Sequence, residues 1–134
     1  MPLTEQRVRK MFQLLEEGRG QEFFNNYVDP NVDWVVTGSQ NPLSGHYTSR
    51  DAFQQATFVR LNKVLKKPLA LQVLHVLASG DDAVVELKVD SVCHNGLVFD
   101  NEYSWTITVK NDKIVRVRAY LDSALVKMAL EQNE

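Results

Sequence analysis

At 134 residues, with 44% hydrophobic and 24% charged side chains, the chain has the make-up of one domain, and one buried core is expected, since roughly two-thirds of the unfolded surface is buried at this size. Fifteen basic against seventeen acidic residues leave a net charge of −2 and no Lys/Arg stripe of the kind that neutralises phosphates, which argues against nucleic acid as a partner. Cys93 is alone and excludes an internal disulfide, the start of the chain is amphipathic rather than uniformly apolar, and no apolar run nears the length of a membrane span; a cytosolic protein without a membrane segment is expected.

Thr4 can cap a first helix whose Val8, Met11, Phe12 and Leu15 recur at three- and four-residue spacing, the pattern of a stripe laid on a core. Gly18 and Gly20 end it. A short second helix over 21–27 offers Phe23, Phe24 and Tyr27, and Asp29-Pro30-Asn31 then turns the chain into a strand over 32–37. Trp34 and Val36 share one face of that strand, with Asp33, Val35 and Thr37 on the other. Residues 38–48, polar and rich in glycine, read as a loop over an opening. Ser49 caps a third helix over 50–66, carrying Phe53, Ala56, Thr57, Leu61 and Val64 along one side, and Pro68 stops it.

Strands fill most of the remainder. Residues 69–78 are almost wholly apolar, as in a strand covered on both faces or one whose outer face meets a second subunit, so a homodimer through the sheet is expected. Gly80-Asp81-Asp82, Asn95-Gly96 and Asn111-Asp112 then link strands over 83–93, 97–109 and 114–121 into a meander. Asp122 or Ser123 caps a closing helix. With no repeat or linker, residues 1–134 read as one domain. Helices followed by a meander predict an α+β fold: a cone-shaped α+β barrel, its curved, mostly antiparallel sheet packed on the N-terminal helices around a pocket whose mouth lies under the 38–48 loop.

Register decides which side chains face that pocket, because a one-residue slip turns every side chain over. A three-residue loop at 111–113 pairs Val109 with Val115, Ile107 with Val117, Trp105 with Ala119 and Tyr103 with Leu121, so that Asn101, Tyr103 and Trp105 point inward. It leaves Thr106, Ser104, Glu102, Arg116, Arg118 and Tyr120 as a polar outer layer in which the arginines can pair with Glu102. The Asn95-Gly96 hairpin has two readings. A two-residue turn, which Asn-Gly favours, sends Glu86, Lys88 and Asp90 inward opposite Trp105, Tyr103 and Asn101. A three-residue turn instead sends Val85, Leu87 and Val89 inward and leaves the charges in solvent, which avoids several kcal/mol of desolvation for each.

Under the first reading Asp90 is a general base, with Lys88 or Tyr103 steadying the charge that develops. Trp34, Glu86, Asn101, Trp105, Ala119 and Leu121 then line the pocket, and His46 can reach down from the loop. Under the second reading Asp90, Lys88 and Glu86 are a solvated face. No His, Cys or carboxylate set has metal-ligand spacing and no glycine-rich phosphate loop occurs, so neither metal nor cofactor is expected.

The segments 32–38 with 42–53, 83–91, 95–107 and above all 113–126, KIVRVRAYLDSALV, resemble the SnoaL-like branch of the nuclear transport factor 2-like superfamily over nearly the whole chain. That resemblance implies the cone fold and a small-molecule pocket. Lys88-Val89-Asp90 is similar to the Arg-x-Asp of limonene epoxide hydrolase with Lys for Arg, while Ala119 stands where that enzyme has a second Asp. The ketosteroid isomerase set of an Asp base with a Tyr and a protonated Asp finds only partial counterparts in Asp90 and Tyr103. The function these readings lead to is a cofactor-free isomerase, cyclase or dehydratase moving a proton on an apolar, oxygenated, polyketide- or steroid-like molecule. The alternative is a non-catalytic ligand-binding or dimerisation domain of the same fold.

Overall fold

The computed structural model describes residues 2–134. Helix α1 (Glu5–Glu16) starts where the Thr4 hydroxyl accepts the Arg7 amide, and Val8, Met11, Phe12 and Leu15 form its buried stripe. Helix α2 (Gly20–Tyr27) buries Phe23 and Phe24 and runs directly into strand β1 (Val28–Val36). The expected turn at Asp29-Pro30-Asn31 is an irregularity inside β1: pairing with the last strand skips between Val28 and Asp33, and the Asp29 carboxylate accepts the Asn31 amide at 2.8 Å. Proline has no N–H to give a ladder, so it is tolerated where the ladder is interrupted.

The expected 38–48 loop contains a short strand, β2 (Gly45–Tyr47), antiparallel to β1. Ser49 caps α3 (Arg50–Ala56) by accepting the Ala52 amide at 3.2 Å. The single helix expected here breaks at Thr57, with φ −124° and ψ −76°, and resumes as α4 (Phe58–Val64). The buried Thr57 hydroxyl donates to the Phe53 carbonyl at 2.7 Å, a side-chain bond of the kind that bends helices.

Next come β3 (Gln72–Ser79), β4 (Asp82–Lys88), the small pair β5 (Ser91–Val92) and β6 (Val98–Phe99), β7 (Glu102–Lys110), β8 (Lys113–Leu121) and α5 (Ser123–Asn133). The main sheet runs β2-β1-β8-β7-β4-β3, and only β1 and β8 pair in parallel. It has two free edges, so it curves against the helices without closing into a barrel. The strands expected over 83–93 and 97–109 are each interrupted, and β5 and β6 continue the hairpin beyond the gap in the same register. Lys66 donates to the Val92 carbonyl at 2.9 Å and Leu65 bridges to Cys93, which folds the hairpin tip over the end of α4. Leu69 and Leu71, expected in a strand, precede β3 and belong to the core, whereas Leu74 and Leu77 are exposed on it. No helix among the described residues is long and apolar enough to cross a membrane.

Candidate functional site

The hairpin joining β7 to β8 aims the aromatic wall. Asn111 and Asp112 both adopt positive φ, 51° and 61°, so the loop has two residues rather than the expected three, and Lys110 pairs with Lys113 and Val109 with Ile114. One step on, Thr108 pairs with Arg116, which leaves Val115 as an extra residue on β8. That bulge supplies the missing offset. From there Ile107 faces Val117, Trp105 faces Ala119 and Tyr103 faces Leu121, the pairing expected for this wall.

At the other hairpin, Cys93 donates to the Leu97 carbonyl at 2.8 Å around a three-residue loop, His94-Asn95-Gly96, with Gly96 at φ 93° and its amide donating to Cys93 at 3.0 Å. Val85 therefore faces Trp105 and Leu87 faces Tyr103, while Glu86 pairs with Ser104 and Lys88 with Glu102 on the outside. Val85, Leu87 and Val89 are fully buried, and Glu86 and Asp90 are exposed. Lys88 lies 3.4 Å from Asp90, whose side chain is 72% exposed. The inward trio of Glu86, Lys88 and Asp90 is thus corrected: burying three charges costs more than a turn preference returns, so the burial pattern sets the register. Tyr103 is left without the base and cation expected beside it.

His46 also lies elsewhere. From β2 it reaches Asp33 on the outer face at 2.8 Å, and Arg118 donates to the same carboxylate oxygen at 3.1 Å. The Arg118 hydrogen bond holds the Asp33 carboxyl below its ordinary range, against the opposing effect of burial and with help from His46. Arg118 takes Asp33, not Glu102, as its partner because β1 lies beside β8.

Between sheet and helices sits an apolar cavity. Trp34 and Val36 from β1, Tyr103 and Trp105 from β7, and Ala119 and Leu121 from β8 form its floor. Phe53, Thr57, Phe58 and Leu61 from the broken helix cover it, with Leu69 and Leu71 at one side and Leu43 at another. Trp34 stacks on Phe53 at 3.9 Å between ring centres and meets Trp105 edge-on at 5.0 Å, while Tyr103 meets Trp105 edge-on at 6.5 Å. The free volume is about 40 Å³, room for about two or three waters.

Four lining residues carry polar side-chain atoms, Trp34, Thr57, Tyr103 and Trp105, and none is a carboxylate or an imidazole. The Thr57 hydroxyl already donates to Phe53. Burial pushes the Tyr103 phenol far above its ordinary value, partly opposed by the Asn101 amide beside it, so at neutral pH it is a donor and not a base. Trp34 Nε1 is buried without a partner among the described residues. Asn101 is buried next to this wall but not on it, with its amide committed to the Asp122 backbone. Of the residues expected to bind ligand, Trp34, Trp105, Ala119 and Leu121 line the cavity beside Tyr103, whereas His46, Glu86 and Asn101 do not.

Sequence reasoning missed the cavity's roof. Leu43 was visible as a lone apolar residue in a polar loop, and it is 3% exposed. Its amide donates to Asn41, its carbonyl accepts the Tyr47 phenol at 2.8 Å, and Ser44 donates to the Thr37 carbonyl, so the loop is tied down where a mouth was expected. Phe53, Thr57 and Leu61 formed a legible helical stripe, but nothing local tells a stripe on solid core from a stripe over a void. Among the described residues no cluster of three His, Cys, Asp or Glu side chains converges.

The sequence matches the family described as SnoaL-like domain over residues 8–117. No curated protein matches it. Among solved structures the chain is similar to an NTF2-like protein from Burkholderia thailandensis E264, at 19% identity and a TM-score of 0.76 over 93% of this chain and 95% of that one. It is also similar to a protein from Jannaschia sp. CCS1 provisionally called a SnoaL-like polyketide cyclase, at 17% identity and a TM-score of 0.72 over 97% and 94% of the two chains. A third, from Rhodopseudomonas palustris and provisionally called an isomerase, shares 15% identity at a TM-score of 0.67 over 97% and 99%. At such identities the likeness shows the fold alone. The family match, however, reaches from Val8 in α1 to Val117 in β8, most of the cone, and the chain belongs to the SnoaL-like family.

Proposed function

We propose that the protein binds a small, neutral, apolar molecule in the cone cavity. The observation that carries this reading is the lining: aromatic and aliphatic side chains apart from Thr57, with no carboxylate or imidazole among them. A charged ligand would lose its hydration there without gaining an opposite charge. The fold neighbours provisionally called a polyketide cyclase and an isomerase support a ring-bearing, polyketide- or steroid-like ligand. Proton transfer by an isomerase, cyclase or dehydratase needs a base, and Asp90, Glu86 and His46 all lie outside the cavity. Binding is therefore better supported than catalysis.

The free volume of about 40 Å³ is well below the roughly 150 Å³ of a cavity that accepts benzene. A ring must therefore part the wall, and Phe58, Tyr103 and Leu121 are its half-buried members. The test is a titration with α-methylstyrene, an uncharged hydrocarbon, followed by tryptophan fluorescence and by the unfolding temperature. Saturable binding that raises the unfolding temperature, and that is lost when Ala119→Val fills the floor, is the expected result. An unchanged unfolding temperature up to the probe's solubility overturns the reading.

A second copy of the chain is the proposed partner of the sheet's outer face. Leu74, Leu77 and Tyr120 are exposed there at 51%, 61% and 54%, more apolar surface than a solvated sheet needs.

A further inference from the structure

We infer that the cavity selects ligands bearing a hydrogen-bond acceptor, and that Trp34 Nε1–H is the group that receives it; this rests on the proposed pocket reading. Three buried side-chain polar atoms lack a partner among the described residues: Trp34 Nε1, Asn41 Nδ2 and Ser91 Oγ. Only Trp34 belongs to the cavity wall.

An indole N–H is a donor and nothing else, so its missing partner is an acceptor. Trp34 is 1% exposed, and stranding such a group without water is unfavourable; buried tryptophan usually finds a partner for its N–H. Packing does not leave the ring free to search for one. The Phe53 stack holds one of its faces at an interplanar angle of 23°, Phe24 lies 5.9 Å away and Trp105 meets it edge-on. The donor is therefore preset, and a ligand that meets it loses little ordering entropy at that contact.

The rest of the wall narrows the chemistry. Thr57 has already given its proton to Phe53, which leaves the Trp105 indole N–H and the neutral Tyr103 phenol as the further donors on the lining. The site thus offers donors and apolar surface with no anion to match an ammonium and no cation to match a carboxylate. The ligand class that fits is an uncharged ring compound with a carbonyl or ether oxygen.

Two isosteres test this directly, acetophenone and α-methylstyrene, which differ by a carbonyl oxygen in place of a methylene. In the native protein labelled with 15N at tryptophan, acetophenone is expected to move the Trp34 indole N–H proton downfield and α-methylstyrene to leave it nearly in place. The Trp105→Phe variant assigns the two indole signals. Trp34→Phe keeps a ring on Phe53 while removing the donor, and it should weaken acetophenone about tenfold with little change for α-methylstyrene. If both probes bind and the Trp34 signal responds alike to each, the acceptor inference is overturned and the apolar-pocket reading stands. If neither probe binds, both are overturned.

Discussion

Asn101 clasps the backbone of Asp122 with both ends of its amide, accepting the Asp122 N–H on Oδ1 at 3.0 Å and donating from Nδ2 to the Asp122 carbonyl at 3.4 Å. Asp122 in turn caps α5 by accepting the Leu125 amide at 3.1 Å. One buried side chain thereby joins the break between β6 and β7 to the start of the last helix. Asn101→Ala leaves two backbone groups without partners and is expected to cost about 2–3 kcal/mol in urea unfolding. A loss below about 0.5 kcal/mol would show that the clasp contributes nothing.

Lys88 and Asp90 form an exposed pair, and exposed pairs contribute about 0–1 kcal/mol. Lys88→Met and Asp90→Asn should each unfold within about 0.5 kcal/mol of the parent and bind α-methylstyrene with unchanged affinity. A large loss of either property would return the pair to the cavity's chemistry.

Leu71 is 1% exposed on the cavity wall. Leu71→Ala should cost about 2–5 kcal/mol and enlarge the void. Its unfolding temperature should then rise more than the parent's on adding the same concentration of α-methylstyrene, because the probe enters without parting the wall. Equal shifts in the two proteins would mean that the probe binds somewhere else.

Leu77 is the most exposed large apolar side chain among the described residues. Sedimentation at micromolar concentration should find a dimer, and Leu77→Glu should shift it to monomer with the unfolding cooperativity retained. A monomer in the parent protein disproves the outer-face assembly.

Asp33 titrates below the ordinary carboxylate range, chiefly because Arg118 donates to it. A carboxyl depressed by folding adds stability that is present above its unfolded pKa and disappears as the pH falls through its folded value. Carboxyl NMR should therefore show Asp33 titrating at higher pH in Arg118→Met than in the parent, with that part of the acid destabilisation correspondingly smaller. Identical titration curves would show that Arg118 does not set the carboxylate.

What the sequence determined by itself was whatever alternation and local chemistry encode. The α1 stripe, the caps at Thr4, Ser49 and Asp122, and the facing of Trp105 on Ala119 and Tyr103 on Leu121 were all legible, because one periodicity or one side chain specifies each. Even there the means differed: a two-residue turn with a bulge at Val115 reached the register that a three-residue loop would have set. Tertiary structure decided the rest. Asn95-Gly96 favoured one hairpin and the burial of Val85, Leu87 and Val89 another, and only the packed core weighs a turn preference against three buried charges. The parallel pairing of β1 with β8, which hands Asp33 to Arg118, joins residues about 85 positions apart, and no local pattern encodes it. The cavity is of the same kind: Leu43, Phe53 and Leu71 look like ordinary core residues in the chain, and only their assembled shapes leave a space between them.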